Sequence, residues 1–412
     1  MNLEKLEKIL KDENQPKFRL EQIMKAIYRD GISSFLEIST ISKDLRELLN
    51  KEMKILSFEI EKVLVSKGKQ SVKALLKLPC HSDSPAGGAK NPSIGNTDSS
   101  LNRSGSFAEA AQDDKNFYYI ETVLLSPRPD TWTACISSQI GCPLGCEFCA
   151  TGKGGFKRNL TAEEITDQVL FWKQYLGRER KFSFPTVSNI VYMGMGEPFL
   201  NWENVKKSVE DLVNPKMFEI GSRSISISTA GVEGGILKFS EEFPQVNLAI
   251  SLHFADNEMR SKFMPANKTY GLRDIKKDLQ DYFQKSKRKV FMEYIMFDGL
   301  NDSLDDARKL VDYLKLIGNS YLLHVNLISY NSASHSERRV KNPSIGNIDS
   351  SLNCSGSFVP LSGTQDDIVF KSSSKDKISK FKDYLLQNKI NATIRKSLGS
   401  EIQGSCGQLA GK

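Results

Sequence analysis

Apolar side chains recur at helical intervals from the start of this chain. Over residues 19–28 they fall at Leu20, Ile23, Met24 and Ile27, one face of a helix, and Gly31 breaks it. Leu45, Leu48 and Leu49 mark another helix over residues 43–49, so residues 1–58 read as a small helical unit with Lys and Arg on its polar faces. Two β-rich runs, residues 74–78 and 118–123, are then expected to pair as a hairpin. From Thr133 onward the pattern alternates. Strand-like runs at 189–193, 224–228, 246–251, 290–295 and 324–328 are separated by helical segments. One helix opens on Thr161-Ala162-Glu163-Glu164, a capping box in which Thr161 covers a backbone N–H and Glu164 reaches back. Strand–helix alternation of this kind implies a parallel sheet, with chemistry at the C-terminal ends of its strands.

The pattern is interrupted twice by nearly the same words. Lys90-Asn91-Pro92-Ser93-Ile94-Gly95-Asn96 returns as Lys341-Asn342-Pro343-Ser344-Ile345-Gly346-Asn347, and each copy runs on to Ser-Gly-Ser-Phe, ending at Phe107 and Phe358. Two Ser-, Asn- and Gly-rich copies have too few apolar residues to bury a face. They read as insertions of about 81–114 and about 338–367, both exposed and flexible, whose deletion leaves activity largely intact. The first splits the hairpin extension (residues 59–132); the second interrupts the main α/β domain (133–412) before its last helix. Cys80 beside the first insertion and Cys354 inside the second carry no assigned role.

Composition narrows the class only modestly. A chain of 412 residues exceeds one compact domain, so a main domain with a smaller one is expected. The net charge of +7 is compatible with a nucleic-acid partner without requiring one. The N-terminus is charged from its first residues, unlike a signal peptide. No apolar run approaches the roughly 20 residues that span a bilayer, so no membrane association is expected. The seven cysteines cluster rather than forming a disulfide framework, which suggests a reducing, cytoplasmic compartment.

Three of those cysteines carry the chemistry. Cys142, Cys146 and Cys149 are spaced C-x3-C-x2-C within Gly141-Cys142-Pro143-Leu144-Gly145-Cys146-Glu147-Phe148-Cys149-Ala150-Thr151-Gly152. Three thiolates can hold three irons of a 4Fe–4S cube and leave the fourth open to a small molecule. A closed zinc site would need a fourth ligand, and none of the four histidines is near in sequence. A carboxylate and a close-approach glycine follow a strand at Gly196-Glu197. Taken singly, Ser228, Ser251, Leu252, His253 and Asn331 read as ordinary strand-end residues.

The cysteine run resembles the signature of radical S-adenosylmethionine (SAM) enzymes. Its flanks are more specific. Cys135-Ile136-Ser137-Ser138-Gln139-Ile140, Met193-Gly194-Met195-Gly196-Glu197-Pro198, Ser228-Thr229-Ala230-Gly231, Ser251-Leu252-His253, Asp298-Gly299-Leu300-Asn301-Asp302 and Cys406-Gly407-Gln408-Leu409 recur in the order of the bacterial adenine-C2 methyltransferases of large-subunit rRNA and tRNA. The resemblance spans nearly the whole chain apart from the two insertions. It implies an α/β fold, a partial (β/α)6 radical SAM barrel with a small N-terminal helical accessory domain that grips RNA.

That resemblance also implies roles. A 4Fe–4S cluster sits on Cys142, Cys146 and Cys149, and S-adenosyl-L-methionine on its open iron, contacted by Gly196, Glu197, Ser228, Ser251, Leu252, His253 and Asn331. Reductive cleavage of SAM supplies a 5′-deoxyadenosyl radical. Cys406 aligns with the methyl-carrying cysteine, Cys135 with the thiol that resolves the protein–RNA adduct through a transient disulfide, and Glu121 with the proton acceptor. A buried strand cysteine is the plainer account of Cys135. Implied partners are 23S rRNA and tRNA, with flavodoxin and its reductase as electron source, for a monomeric enzyme. Serine stands at 329 and 332, where family members often have proline, and residues 125–130 differ in length. Methylation at carbon 8, a non-catalytic iron–sulfur RNA-binding protein and a decayed gene product are the alternatives.

Overall fold

A computed structural model describes residues 1–80, 117–179, 187–331 and 370–411. Both insertions, their expected exposure and flexibility, and Cys354 lie outside the described residues.

The N-terminal region is helical, with helices Leu3–Asp12, Phe18–Met24 (continued by a π-turn, Lys25–Arg29) and Lys43–Glu52. The first and third start where a side chain can cap them: Asn2 accepts from the Lys5 N–H at 2.8 Å and Ser42 from the Leu45 N–H at 3.4 Å. Their apolar stripes, including Leu6, Ile23, Ile27, Leu45 and Leu49, are fully or nearly buried. One long helix of the α/β domain, Ala162–Glu179, receives this region. The buried Asp167 carboxylate accepts from the Ser57 N–H (2.9 Å) and the Met1 ammonium (2.8 Å). Lys173 donates to the Tyr28 carbonyl and Gln174 to that of Ile32. The helix begins at the expected capping box, with Glu164 N–H to Thr161 Oγ1 at 3.1 Å and Thr161 N–H to Glu164 Oε2 at 2.9 Å, a device worth about 1 kcal/mol.

Strands β1 (Glu59–Val65), β2 (Ser71–Pro79), β3 (Phe117–Arg128) and β4 (Thr131–Cys135) form an antiparallel run. The expected hairpin is its centre, with Ala74 opposite Thr122 and Leu76 opposite Ile120. A separate ribbon of β5 (Gln139–Gly141) and β6 (Phe156–Asn159) brackets the cysteine loop. The sheet then continues from β4 in parallel through β7 (Asn189–Tyr192), β8 (Ile225–Thr229), β9 (Asn247–Ser251), β10 (Val290–Met296), β11 (Leu323–Ser329) and β12 (Asn391–Arg395). Helices Ala162–Glu179, Trp202–Val213, Gly235–Glu242, Leu272–Lys285, Leu304–Ile317 and Lys375–Gln387 make the crossovers.

Burial explains the composition of these strands. Ile225, Ile227, Leu248, Ile250, Val290, Met292, Val325 and Leu327 are essentially inaccessible, as expected for strands covered by helices. The strands read from sequence stand in sequence order, and β12 adds a further parallel strand against β11. The sheet's outer strands, β1 and β12, do not pair with each other, so the curve stays open. Among the described residues no helix is long and apolar enough to cross a membrane.

Candidate active site

The cysteine loop leaves β5 through a turn that only glycine can make. Gly141 has φ +74°, and a Cβ there would lie 1.7 Å from the Gly155 carbonyl oxygen. The loop is fixed by backbone bonds from Cys142 N–H to Gly155 (3.2 Å), Glu147 N–H to Phe263 (3.0 Å) and Cys149 N–H to Cys146 (3.1 Å). All three thiols line one cleft of about 820 Å³, open to solvent. Among the described residues no three His, Cys, Asp or Glu groups converge closely enough for a single ion. The three thiols instead share the wall of a larger space. Burial pushes the Cys142 thiol up, and Cys146 to about 12, so thiolates in this cleft need a positive partner. A soft, cationic iron–sulfur core answers both needs, so these residues fit the cluster.

The same cleft collects most of the residues expected at SAM: Gly196, Glu197, Ser228, Ser251 and His253. Gly196 has φ +101°, and a Cβ would meet Gln139 at 2.6 Å. Glu197 is buried and ties two strand ends together, its carboxylate accepting from the Phe199 N–H (3.1 Å) and the Ala230 N–H (2.9 Å). Burial raises its pKa, opposed by those N–H donors. Ser228 and Ser251 hydroxyls are 3.0 Å apart. His253 takes a left-handed backbone conformation (φ +58°), and its Nδ1 accepts from the Ile295 N–H at 3.3 Å. That bond requires a neutral ring with the proton on Nε2, and burial agrees by holding its pKa down at about 3. Leu252, also expected at SAM, is buried and does not line the cleft; its N–H donates to the Glu293 carbonyl and its own carbonyl accepts from Arg260.

A second, narrow cavity adjoins the first. Cys135 and Asn331 line this one and not the cleft, while Cys406, Met193, Ile328 and Arg395 line both. Cys406 therefore stands in the partition between the three-thiol cleft and the Cys135 cavity. Cys135 and Cys406 are free thiols. Burial raises both, Cys135 to about 12, and the Arg395 guanidinium pulls both down. Arg395 is itself held charged by Glu293, with Nη1 to Oε2 at 3.1 Å, and Asn326 bonds the other Glu293 oxygen at 2.8 Å.

Glu121 lines a third cavity, about 710 Å³, with Lys62, Lys73 and residues 401–403. Its carboxylate is paired with Lys73 (2.8 Å) and accepts from the Ala410 N–H (2.7 Å). Hydrogen bonds hold the glycine-rich tail that carries Cys406. The Gly407 carbonyl accepts from Ala150 (2.9 Å) and the Leu409 carbonyl from Thr151 Oγ1 (2.6 Å), which anchors the tail on the helix just after the cysteine loop.

Arg395, Glu293 and Arg260 escaped the sequence reading. Glu293 alone left a signal, a carboxylate inside the otherwise apolar run of β10. Nothing local marks either arginine.

An open, helix-covered parallel sheet with a cysteine loop at its strand ends places the molecule among radical SAM proteins, and residues 136–314 match the Radical SAM superfamily. Residues 1–55 match the Ribosomal RNA large subunit methyltransferase N-terminal domain. The chain is 34% identical to a "Probable dual-specificity RNA methyltransferase RlmN" of Syntrophomonas wolfei, over 99% of this chain and 95% of that one. It is 32% identical to the "Ribosomal RNA large subunit methyltransferase Cfr" of Bacillus velezensis, again over 99% and 95%. A crystal structure of a radical SAM methyltransferase from Sphaerobacter thermophilus superimposes with a TM-score of 0.75 at 29% identity, covering 100% of this chain and 98% of that one. The chain belongs to the RlmN/Cfr family of radical SAM RNA methyltransferases, whose cofactors are a 4Fe–4S cluster and SAM.

Proposed function

We propose that this protein methylates carbon 2 of adenosine in structured RNA, in the peptidyl-transferase centre of 23S rRNA and beside the anticodon of tRNA, through a methyl carried on Cys406. The observation that carries this reading is the place of Cys406 in a wall shared by the three-thiol cleft and the Cys135 cavity. Cys142, Cys146 and Cys149 would hold the cluster, and Glu197, Ser228, Ser251 and His253 would surround SAM. The bound cofactors supply a methyl group and, on one-electron reduction, a radical.

The protein's own residues do the rest. Cys406 accepts a methyl by displacement and presents it to the adenine ring, which a thiolate suits. The S-methyl of Cys406 would give a hydrogen atom to the radical and bond to the ring carbon; the adduct would then lose one electron back to the redox cofactor and the ring proton to Glu121, and Cys135 would attack the Cys406 sulfur, so that a disulfide forms as the sulfur–carbon bond breaks and the freed carbon takes up a proton. Arg395, held by Glu293, places its positive charge beside both sulfurs, while the Glu293 carboxylate opposes it at Cys406. A paired target base must be extruded from its helix, and basic residues of the N-terminal helices would hold phosphates. Flavodoxin with its reductase is the fitting electron source, the enzyme acting as a monomer in the cytoplasm.

Anaerobic reconstitution with iron, sulfide, SAM and unmodified rRNA or tRNA, followed by mass-spectrometric mapping, tests the reading. Methyl groups at carbon 2 are the expected product; methyl at carbon 8, or SAM cleavage without RNA methylation, would refute it. RNA affinity in the same assay falls linearly on a log–log plot against salt.

A further inference from the structure

Arg260 is among the largest side chains with no exposed surface. It sits on the short helix Asn257–Phe263, whose last residue accepts the Glu147 N–H of the cysteine loop. Its guanidinium donates to four acceptors: the carbonyls of Leu252 (3.1 Å), Ala230 (2.6 Å) and Ser251 (3.3 Å), and Asn267 Oδ1 (2.6 Å). All four are neutral. A buried charge without a counter-charge is costly, and hydrogen bonds to carbonyls satisfy its donors without cancelling its charge. Ala230 and Ser251, whose carbonyls it holds, line the same cleft as Cys142, Cys146 and Cys149.

We infer that Arg260 is a positioning residue whose buried charge answers the anionic cluster on Cys142, Cys146 and Cys149 and so raises that cluster's reduction potential, while its forked donors brace the strand ends that carry Ser251 and His253. The inference rests on the assignment of those three cysteines as the cluster's ligands. A fixed cation favours the more negative, reduced state of a cluster. Reduction is the event that the family's chemistry requires, so the cation eases the entry of the electron. The same guanidinium spans Ala230, just past β8, and Ser251 with Leu252 at the end of β9. Glu197 accepts from the Ala230 N–H. One buried carboxylate and one buried cation thus hold the two successive peptide groups on either side of the Ala230 Cα.

The test is an EPR-monitored redox titration of anaerobically reconstituted protein, with iron and sulfide content measured for each variant. Arg260→Gln keeps two donors and loses the charge. Asn267→Asp keeps the guanidinium and places a carboxylate against Nη1, cancelling the charge in the same volume at the loss of the Asn267 Nδ2 bonds to Asn257 and Ser261. Both variants are expected to be reduced less readily. At the wild-type midpoint their reduced fraction falls from one half to about one tenth or lower, a tenfold shift of the equilibrium and about 59 mV for one electron. Arg260→Lys retains the charge, so its midpoint stays near wild type while SAM affinity, read by equilibrium dialysis, weakens. A wild-type midpoint in loaded Asn267→Asp overturns the inference, and that variant decides alone should Arg260→Gln fail to fold. A cluster that still assembles after all three cysteines are changed to alanine overturns the ligand assignment instead.

Discussion

A Cys406→Ala protein assembles its cluster, cleaves SAM when reduced, and transfers no methyl group to RNA. The three-thiol cleft keeps all of its cysteines in this variant, and the Gly196-Glu197 turn and the strand-end residues are untouched. What disappears is the sulfur in the partition between the cleft and the Cys135 cavity. The backbone bonds at Gly407, Leu409 and Ala410 that hold the tail do not involve the Cys406 side chain, so the segment should keep its place. Cleavage is read as 5′-deoxyadenosine by chromatography and transfer as radiolabel in RNA. Label in RNA above background would remove the carrier role of Cys406.

The second large effect is expected at the Lys73–Glu121 pair. The two side chains are only 8% and 3% exposed, and their atoms meet at 2.8 Å. Lys73→Met leaves a buried carboxylate whose remaining partner is the Ala410 N–H. Removing one member of a buried ion pair costs about 3–5 kcal/mol, to be read as a lowered urea midpoint. The double variant Lys73→Met, Glu121→Gln should recover part of that loss, because no charge is left stranded. Activity separates the two residues differently. Glu121→Gln removes the proposed proton acceptor and should slow methyl transfer by about 10²–10⁴-fold. If Glu121→Gln is destabilised but fully active, Glu121 is a structural anchor for the hairpin and tail.

How much of this was legible in the sequence depended on distance along the chain. Cys142, Cys146 and Cys149 fall within eight residues, so their spacing alone points to the cluster chemistry proposed for them. The apolar positions of β8 to β11 announce strands because helices cover one sheet face, while polar residues such as Ser228, Ser251 and Glu293 turn to the cleft on the other. β12 is different: in Asn391–Arg395 only Ala392 is buried and Ile394 is exposed, so no burial pattern marks it. Its position comes from pairing with β11, where Ile328 stands opposite Arg395, a contact between residues on either side of the second insertion. Arg395 was invisible for the same reason. Arg260 hid behind a sound expectation, since arginine on a polar-looking helix is ordinarily exposed. The division of Asn331 from the other strand-end residues, and the anchoring of the tail, likewise depend on side chains and carbonyls that only folding brings together.

The anchored tail shifts the burden of motion. On the proposed role of Cys406, a thiol held in this wall would have loading and discharge arranged around it, as at a counter with two windows. Cofactor would arrive at one window and nucleic acid at the other, and the timing of the cycle would then be set by the traffic of those visitors and not by the travel of the chain's last residues.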